Sequence, residues 1–311
     1  MKLAMVFPGQ GSQSVGMMQA YGDNAAVRDV LAEASDALDQ DLGKLMAGGP
    51  AEQLSLTVNT QPVMLTAGYA AYRAWTSLGG PAPALLAGHS LGEYTALVVA
   101  GVLSFRDALP LVRFRARVMQ EAVPPGQGAM AAILGLDEDV VRIACAEAAQ
   151  GEIVQAVNFN SPGQVVIAGN AAAVKRACEA AKSKGAKRAL PLPVSAPFHS
   201  ALMQPAAERL QEYMQGVAFG PPRIAVINNV DVASYADPAR IKDALVRQAY
   251  NPVRWSETIR AFATQGITHV AECGPGKVLA GMSRRIDSSL ESLALVDQAS
   301  IESGIDKLKR I

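Results

Sequence analysis

The sequence predicts an α/β protein in which a large domain with a mostly parallel sheet carries a smaller inserted domain. Over residues 1–125, short apolar stretches alternate with longer amphipathic ones, which is typical of strands that alternate with helices. A run of prolines and glycines, Pro124–Gly128, then interrupts the chain. After it, strand and helix signals follow the order β-α-β-β-α-β of a ferredoxin-like unit. We therefore predict a small domain at residues 126–196 and a large domain at residues 1–125 and 197–311.

Capping residues and apolar patterning predict the elements of the first part of the large domain. Asn24 is an N-cap residue before an alanine-rich amphipathic stretch that ends near Leu38. The segment Thr60-Gln61-Pro62 opens a helix to about Trp75, because proline is tolerated in the first helical turn. The other elements predicted before residue 125 are strands at 3–7 and 84–87 and helices at 93–103 and 104–123.

The same patterns predict the inserted unit and the return to the large domain. In the inserted unit we expect strands at 130–134, 153–158, 165–168 and 189–194 and helices at 137–150 and 171–184. Beyond it we expect helices from His199, from 237 to about 250 and after Pro252, strands at 224–227 and 268–272, and a closing helix and strand. Alternation on this scale implies a parallel sheet covered by helices on both faces.

Composition excludes several classes of function. Half of the 311 residues are hydrophobic and 18% are charged, below the usual quarter, which favours a well-filled core. Lys+Arg and Asp+Glu both number 28, and the resulting net charge of zero indicates neither nucleic-acid binding nor a polybasic membrane patch. No apolar run suits a signal peptide or a membrane span. The three cysteines lack metal-ligand spacing. We expect a cytoplasmic protein without disulfides or a metal.

The most specific motif is Gly88-His89-Ser90-Leu91-Gly92, which lies between an apolar strand-like stretch and an apolar helix-like one. A Gly-x-Ser-x-Gly turn in that context is a nucleophile elbow, which holds a serine hydroxyl exposed at the end of a sheet. The glycines are needed because Cβ atoms would collide in so sharp a turn. The motif predicts Ser90 as a nucleophile and the N–H of Leu91 as an oxyanion donor.

A serine hydroxyl needs a base to accept its proton, and the chain contains three histidines. We expect the His89 side chain to point away from the hydroxyl, and His269 lies in an apolar strand. His199 lies between a predicted strand and a predicted helix, a junction where parallel sheets place functional groups. It is either the base or a capping or core histidine. No acid lies in a triad pattern, so a pair oriented by a backbone carbonyl fits better.

Arg115 lies where an arginine is unexpected. On a helical wheel of residues 105–122, polar side chains occupy one half and apolar side chains the other, with Arg115 in the middle of the apolar half. A buried guanidinium needs an anion, and no acidic residue shares that half of the helix. The partner is therefore either an acid from elsewhere in the fold or a carboxylate of the substrate.

A glycine-rich loop, Gly9–Gln13, follows the first strand. It approaches the dinucleotide fingerprint G-x-G-x-x-G, but Ser14 occupies the last glycine position and no strand ending in an acid follows about twenty residues later. The sequence therefore disfavours a nucleotide site. The alternative is that this loop provides a backbone N–H to an oxyanion hole.

Together these segments resemble the malonyl-CoA:acyl carrier protein transacylases, the discrete acyltransferases of bacterial fatty-acid synthesis. The resemblance covers essentially the whole chain. The matching segments are Phe7–Gln13, Asn59–Pro62, Gly88–Tyr94, Met119–Ala122, Asn158–Gln164, Gln248–Val253 and Gly274–Gly276.

The resemblance implies a hydrolase-like large domain, a ferredoxin-like insert and an active site between them. It implies that Ser90 is the nucleophile, that His199 is the base and that Arg115 pairs with the malonyl carboxylate. The other matching positions support these three: Gln10 and Leu91 as oxyanion donors, Gln248 as the residue whose main-chain carbonyl orients the histidine, and Asn160 and Gln61 as pocket-lining residues.

The resemblance also implies the substrates. Malonyl-CoA and holo acyl carrier protein would be the partners, without a cofactor, and a malonyl-serine intermediate would supply extender units for fatty-acid synthesis. Phe198 departs from the discrete enzymes, which often carry serine there, and resembles malonyl-selective domains of polyketide synthases. The alternatives are a malonyltransferase of a polyketide pathway and an acyl hydrolase on the same fold. We expect a monomer.

Overall fold

The computed structural model describes residues 2–194 and 196–309, and in this part of the chain the strands form two separate sheets. The strands are β1 (Leu3–Phe7), β2 (Leu85–Gly88), β3 (Gly128–Leu134), β4 (Val154–Ser161), β5 (Gln164–Asn170), β6 (Arg188–Pro191), β7 (Ala225–Ile227), β8 (His269–Cys273) and β9 (Glu291–Leu295). The helices are α1 (Ala25–Leu38), α2 (Leu42–Gly48), α3 (Ala51–Ser55), α4 (Thr57–Ser77), α5 (Leu91–Val99), α6 (Phe105–Glu121), α7 (Glu138–Ala149), α8 (Ala171–Ser183), α9 (Gln204–Gln215), α10 (Pro238–Gln248), α11 (Trp255–Thr264), α12 (Val278–Ile286) and α13 (Gln298–Lys309).

The larger sheet has five strands in the order β7-β2-β1-β8-β9, and every neighbouring pair is parallel. All five residues of the central strand β1 are buried, as expected for a strand covered on both faces. Phe7, the last residue of β1, pairs with Gly88, the last residue of β2. The carboxyl ends of these strands therefore meet at one edge. The predicted α/β fold with a mostly parallel sheet is confirmed.

The second sheet has four antiparallel strands in the order β4-β5-β3-β6. Along the chain its elements follow the predicted order, β3-α7-β4-β5-α8-β6. Strand β5 alternates between two environments. Val165 and Ile167 pack with the helices in a core of this unit, whereas Val166 and Ala168 belong to a cluster on the opposite face. That opposite face is directed toward the site described below.

Several predicted bounds are wrong. Helix α4 begins at Thr57, so Pro62 lies inside the helix and not in its first turn. The missing N–H of the proline is tolerated because the surrounding side chains are buried, and packing outweighs the local preference. Strand β6 ends at Pro191, before the predicted limit of 194. The helix expected from His199 begins at Gln204, after a 3-10 turn at Ala201–Met203.

Three helices are absent from the prediction. Helices α2 and α3 have seven and five residues, too few for a periodic pattern to be distinctive. Helix α13 follows β9, where the sequence predicts a strand as the last element. Its buried Ile301, Ile305 and Leu308 have helical spacing, a signal that could have revealed it. Within the described residues, no helix has the length and apolar character needed to span a membrane.

Candidate active site

The turn between β2 and α5 holds Ser90 in a strained backbone conformation at the edge of the parallel sheet. Its φ of 52° and ψ of −109° are unusual for a residue with a side chain. A Cβ on Gly88 would lie 1.9 Å from the carbonyl carbon of Gly92, and one on Gly92 would lie 2.0 Å from the carbonyl oxygen of Phe7. Both glycines are therefore required by close backbone contacts, as the motif predicts.

Ser90 and His199 form a hydrogen-bonded pair. The distance from Ser90 Oγ to His199 Nε2 is 2.7 Å. On the other side of the ring, His199 Nδ1 lies 2.8 Å from the main-chain carbonyl oxygen of Gln248, the last residue of α10. A carbonyl only accepts, so Nδ1 carries the proton and Nε2 is left to accept from the serine. The structure thus places a carbonyl where a triad would have an acid.

His199 reaches this position by a route that differs from the prediction. The strand before it, β6, belongs to the antiparallel sheet, so His199 does not lie at the carboxyl edge of a parallel strand. Its backbone has a φ of 64°, and the residue is 4% exposed. Desolvation, reinforced by the positive charge of Arg115, lowers the pKa of His199 to about 3. The imidazole is therefore neutral at neutral pH, the state that can accept a proton.

Arg115 lies in the same site and is 1% exposed. Its Nη2 lies 3.2 Å from Ser90 Oγ and donates to Gln248 Oε1 at 2.9 Å, and its Nη1 donates to Gln61 Oε1 at 2.9 Å. The ring of Tyr94 lies 5.3 Å from the guanidinium carbon. Burial lowers the pKa of Arg115 from its ordinary value. The buried residues of α6 include Arg115 and otherwise match the predicted apolar half.

The hydrogen-bond partners of Arg115 bear on the two anion sources left open by the sequence. Every hydrogen bond of the guanidinium recorded within residues 2–194 and 196–309 goes to a neutral oxygen, and none goes to a carboxylate. An acid from elsewhere in the fold is therefore not its ion-pair partner in the described part of the chain. The arrangement favours a carboxylate on the substrate.

A cavity of about 290 Å³ opens over Ser90 between the two sheets. The second sheet contributes Met130, Ala132, Asn158, Asn160 and Val166 to its wall, and α12 contributes Leu279 and Met282. Eight of the residues predicted for the site line this cavity: Gln10, Gln61, Ser90, Leu91, Arg115, Asn160, Phe198 and His199. Gln248 supports the site through the contacts to His199 and Arg115. The size is near the lower end of small-molecule sites.

The glycine-rich loop packs against the elbow. A Cβ on Gly9 would lie 2.6 Å from the carbonyl oxygen of His89 and 3.8 Å from the backbone nitrogen of Leu91. Leu91 is the first residue of α5, so its N–H has no acceptor within the helix. Both Leu91 and Gln10 line the cavity beside Ser90. This placement is compatible with the oxyanion hole predicted from the sequence.

His89 and Asn160 join the two sheets. His89 Nε2 lies 2.8 Å from Asn160 Oδ1, which connects the elbow to strand β4. Asn160 therefore anchors the second sheet as well as lining the cavity. The third histidine, His269, lies in β8 with Nδ1 2.9 Å from the Thr268 hydroxyl, outside the site.

Sequence reasoning missed Glu93 and Asn229. Glu93 on α5 is 2% exposed, and its Oε2 accepts from Asn229 N and Gln248 Nε2, both at 2.9 Å. Asn229 accepts from Ser90 N at 2.8 Å and donates to the Gly88 carbonyl at 2.7 Å. Desolvation raises the pKa of Glu93 to about 7. A charged residue in an apolar helix, the signal that reveals Arg115, could also have revealed Glu93.

The described residues contain no group of three His, Cys, Asp or Glu side chains that could hold a metal ion. The hydrogen bonds around Ser90 suit proton transfer and anion binding. The chemistry that the site can support is therefore acyl transfer to and from a serine.

Known proteins share the sequence and the fold of this chain over nearly its whole length. The family described as "Acyl transferase domain" matches residues 4–301. The malonyl CoA-acyl carrier protein transacylase of Salmonella typhimurium is 53% identical, over 98% of this chain and 99% of its own. The relative of the same name from Bacillus subtilis is 45% identical, over 99% of this chain and 98% of its own.

Solved structures give the same result. The acyl-carrier-protein S-malonyltransferase of Burkholderia pseudomallei is 64% identical with a TM-score of 0.97, covering 98% of this chain and all of that chain. A malonyl-transacylase in complex with its type II polyketide synthase acyl-carrier protein is 52% identical with a TM-score of 0.97, covering 99% of this chain and all of that chain. The resemblance predicted from the sequence is confirmed: the chain belongs to the acyl transferase domain family.

Proposed function

We propose that the protein transfers the malonyl group from malonyl-CoA to the phosphopantetheine thiol of acyl carrier protein through a malonyl ester of Ser90. One observation carries the proposal. Within one cavity, the Ser90 hydroxyl lies 2.7 Å from a neutral imidazole and 3.2 Å from a buried guanidinium. The names of the transacylase relatives and the carrier-protein complex support this choice of substrates.

In the first half of the reaction, Ser90 Oγ attacks the thioester carbonyl of malonyl-CoA while its proton passes to His199 Nε2. The carbonyl of Gln248 stabilises the resulting imidazolium through Nδ1–H. When the tetrahedral intermediate collapses, the C–S bond breaks. The CoA sulfur takes the proton from His199 and leaves as a thiol, so that the malonyl group remains as an ester on Ser90.

In the second half, the phosphopantetheine thiol of the carrier gives its proton to His199 Nε2 and attacks the ester carbonyl. The bond between the acyl carbon and Ser90 Oγ then breaks, and Oγ recovers the proton. A new thioester forms and the enzyme returns to its starting state. The same base thus serves both halves, as expected for two successive attacks on one carbonyl carbon.

Two sets of groups stabilise charge during these steps. We propose that the backbone N–H groups of Gln10 and Leu91 donate to the oxyanion of each tetrahedral intermediate, a contribution of about 3 kcal/mol per donor in other oxyanion holes. Arg115 binds the malonyl carboxylate, which offers a guanidinium two coplanar oxygens. Gln61 and Asn160 border the space that the malonyl group would occupy.

The finer description of the fold belongs to the same proposal. We propose that residues 1–125 and 197–311 form a hydrolase-like domain and residues 126–196 a ferredoxin-like one. The serine turn at the edge of a parallel sheet supports the first, and the strand order β4-β5-β3-β6 supports the second. The monomeric state and the cytoplasmic location expected from the sequence stay predictions.

Two alternatives differ in where the malonyl group goes. An acyl hydrolase would share Ser90 and His199, but a neutral acyl chain would leave the Arg115 guanidinium without an anion. A polyketide pathway would use the same chemistry, and one relative is a transacylase in complex with a type II polyketide carrier. Fatty-acid synthesis remains our proposal for the pathway.

Intact-mass spectrometry after incubation with malonyl-CoA or acetyl-CoA, without carrier, tests this function. We expect a malonyl adduct on Ser90 that forms in strong preference to an acetyl adduct. Addition of holo acyl carrier protein should then remove the adduct and yield malonylated carrier. Release of CoA without an adduct would indicate hydrolysis and contradict the proposal.

A further inference from the structure

The side-chain amide of Gln248 lies between the buried acid Glu93 and the buried guanidinium of Arg115. Its Oε1 accepts from Arg115 Nη2 at 2.9 Å. Its Nε2 faces oxygens only: Glu93 Oε2 at 2.9 Å, the Ser90 carbonyl at 3.0 Å and Asn229 Oδ1 at 3.3 Å. The amide therefore separates a buried carboxylate from a buried guanidinium.

These two side chains determine the direction of the amide, because Arg115 donates to its oxygen and Glu93 Oε2 accepts from its nitrogen. A guanidinium only donates hydrogen bonds and a carboxylate only accepts them. Turning the Gln248 amide around would set its NH₂ group against Arg115 and its oxygen against Glu93. Both encounters would leave buried polar groups unpaired, which is costly away from water. Glu93 and Arg115 therefore select one of the two amide directions.

Glu93 also fixes the neighbouring main chain. The same Oε2 that accepts from Gln248 accepts from the backbone N–H of Asn229, and Asn229 Oδ1 in turn accepts from the N–H of Ser90. One carboxylate oxygen thus connects the residue that holds the guanidinium to the residue that holds the nucleophile. Gln248 keeps this carboxylate from pairing directly with Arg115.

We propose that Glu93 is a positioning residue for acyl-group selection, an inference that rests on the proposed function. Its carboxylate fixes the direction of the Gln248 amide, which keeps Arg115 aimed at the cavity and free of an ion pair. The carboxylate of the substrate is then the first anion to form an ion pair with Arg115. A thioester without that carboxylate gains nothing from this alignment, so loss of Glu93 lowers malonyl loading more than acetyl loading.

Two variants of nearly equal size test the proposal. Glu93→Met keeps the length of the side chain and removes the acceptor, whereas Glu93→Gln keeps an oxygen that can accept from both N–H groups and is the matched control. We expect Glu93→Met to lower kcat/KM for Ser90 loading from malonyl-CoA at least tenfold, with acetyl-CoA changed less than about threefold. Glu93→Gln should stay within about threefold of the wild type for both thioesters.

A second substitution shows whether Glu93 acts through the guanidinium. In an Arg115→Ala background, Glu93→Met should lower malonyl loading no further, because the group that it positions is gone. Equal losses with the two thioesters in Glu93→Met would assign Glu93 to general support of the site and overturn the proposal. Unchanged malonyl loading in that variant would also overturn it.

Gln248→Met provides an independent test if Glu93→Met does not fold, as judged by thermal melting. It removes the amide and retains the main-chain carbonyl that orients His199. Because this amide also donates to the Ser90 carbonyl, we expect both thioesters to load more slowly and malonyl-CoA to lose more, and an equal loss with both would overturn the proposal. Failure of the proposed function has a different signature, because the wild-type protein itself would then form no malonyl adduct.

Discussion

The two sheets contribute to the site in different ways. The carboxyl edge of the parallel sheet provides groups that react or are hydrogen-bonded to reacting groups, including Ser90 after β2 and Asn229 after β7. The antiparallel sheet provides one face of the cavity, which combines the apolar Met130, Ala132 and Val166 with the amides Asn158, Asn160 and Gln164. The chemical steps therefore depend on the edge of the parallel sheet, whereas the fit of the acyl group depends on a face of the antiparallel sheet. Substitutions at the edge of the parallel sheet should stop the reaction. Substitutions near the face of the antiparallel sheet should change which acyl groups enter the cavity.

The largest expected effect is at the edge of the parallel sheet. Ser90→Ala removes the only oxygen that the mechanism acylates, so we expect loading from malonyl-CoA to fall at least about 10⁴-fold. Intact-mass spectrometry should show no malonyl adduct, while thermal melting shows a folded protein. A labelled adduct that persists in this variant would assign the nucleophile to another residue.

Arg115→Ala should impair selection of the malonyl group while leaving the acylation of Ser90 itself largely intact. Loss of one partner of a buried charged pair costs about 3 kcal/mol, so we expect about a 100-fold fall in kcat/KM for malonyl-CoA. Acetyl-CoA lacks the carboxylate, and its loading should change little. Comparison of the two thioesters in one loading assay measures the difference. An equal loss for both would contradict the carboxylate-binding role.

A smaller effect is expected where the cavity meets the antiparallel sheet. Phe198 lines the cavity and packs against the cluster that contains Met130 and Val166. Phe198→Ser would open space there, so we expect discrimination between malonyl-CoA and its methyl-branched analogue to fall about tenfold, the effect of one methyl group. Malonyl loading itself should change less. Competition between the two thioesters gives the ratio, and unchanged discrimination would remove Phe198 from acyl selection.

The smallest expected effect is that of pH on the rate at which Ser90 is loaded. Burial lowers the pKa of His199 to about 3, so the ring is already neutral at pH 5 and gains little further neutral form as the pH rises to 8. The rate of Ser90 loading from acetyl-CoA should therefore be nearly flat between pH 5 and 8 and fall only near pH 3. Rapid-quench measurements across this range test the prediction. Because Glu93 has a raised pKa of about 7, only an inflection near 6.5 that persists in Glu93→Gln would show an unperturbed histidine.

The same shift has a consequence for stability, with its sign fixed by linkage. The unfolded chain binds a proton at His199 below its ordinary pKa of 6.5, whereas the folded protein does so only near 3. His199 therefore destabilises the fold progressively as pH falls from 6.5 toward 3. Glu93 acts in the opposite direction, because its raised pKa of about 7 makes the folded form bind the extra proton as pH falls.

Local sequence was sufficient for some parts of the site and insufficient for others. The elbow around Ser90 could be predicted because strand, turn and helix are contiguous, and Arg115 could be predicted from helical periodicity. The meeting of Ser90 with His199 could not, because 109 residues separate them and β6 lies in the other sheet. The family resemblance supplied that pairing. Pro62 shows the same limit in the fold, since burial of α4 overrode a local helix-start signal.

Gln248 serves the site through two parts that a substitution affects differently. Its main-chain carbonyl aligns His199, and its side chain holds Arg115. Every amino acid has a main-chain carbonyl, but few have a side-chain amide that could hold Arg115. A change at this position can therefore alter the preference for one acyl group over another while the base keeps its alignment. The position is a natural place to broaden or exchange substrates in an engineered or evolving enzyme without first losing the reaction.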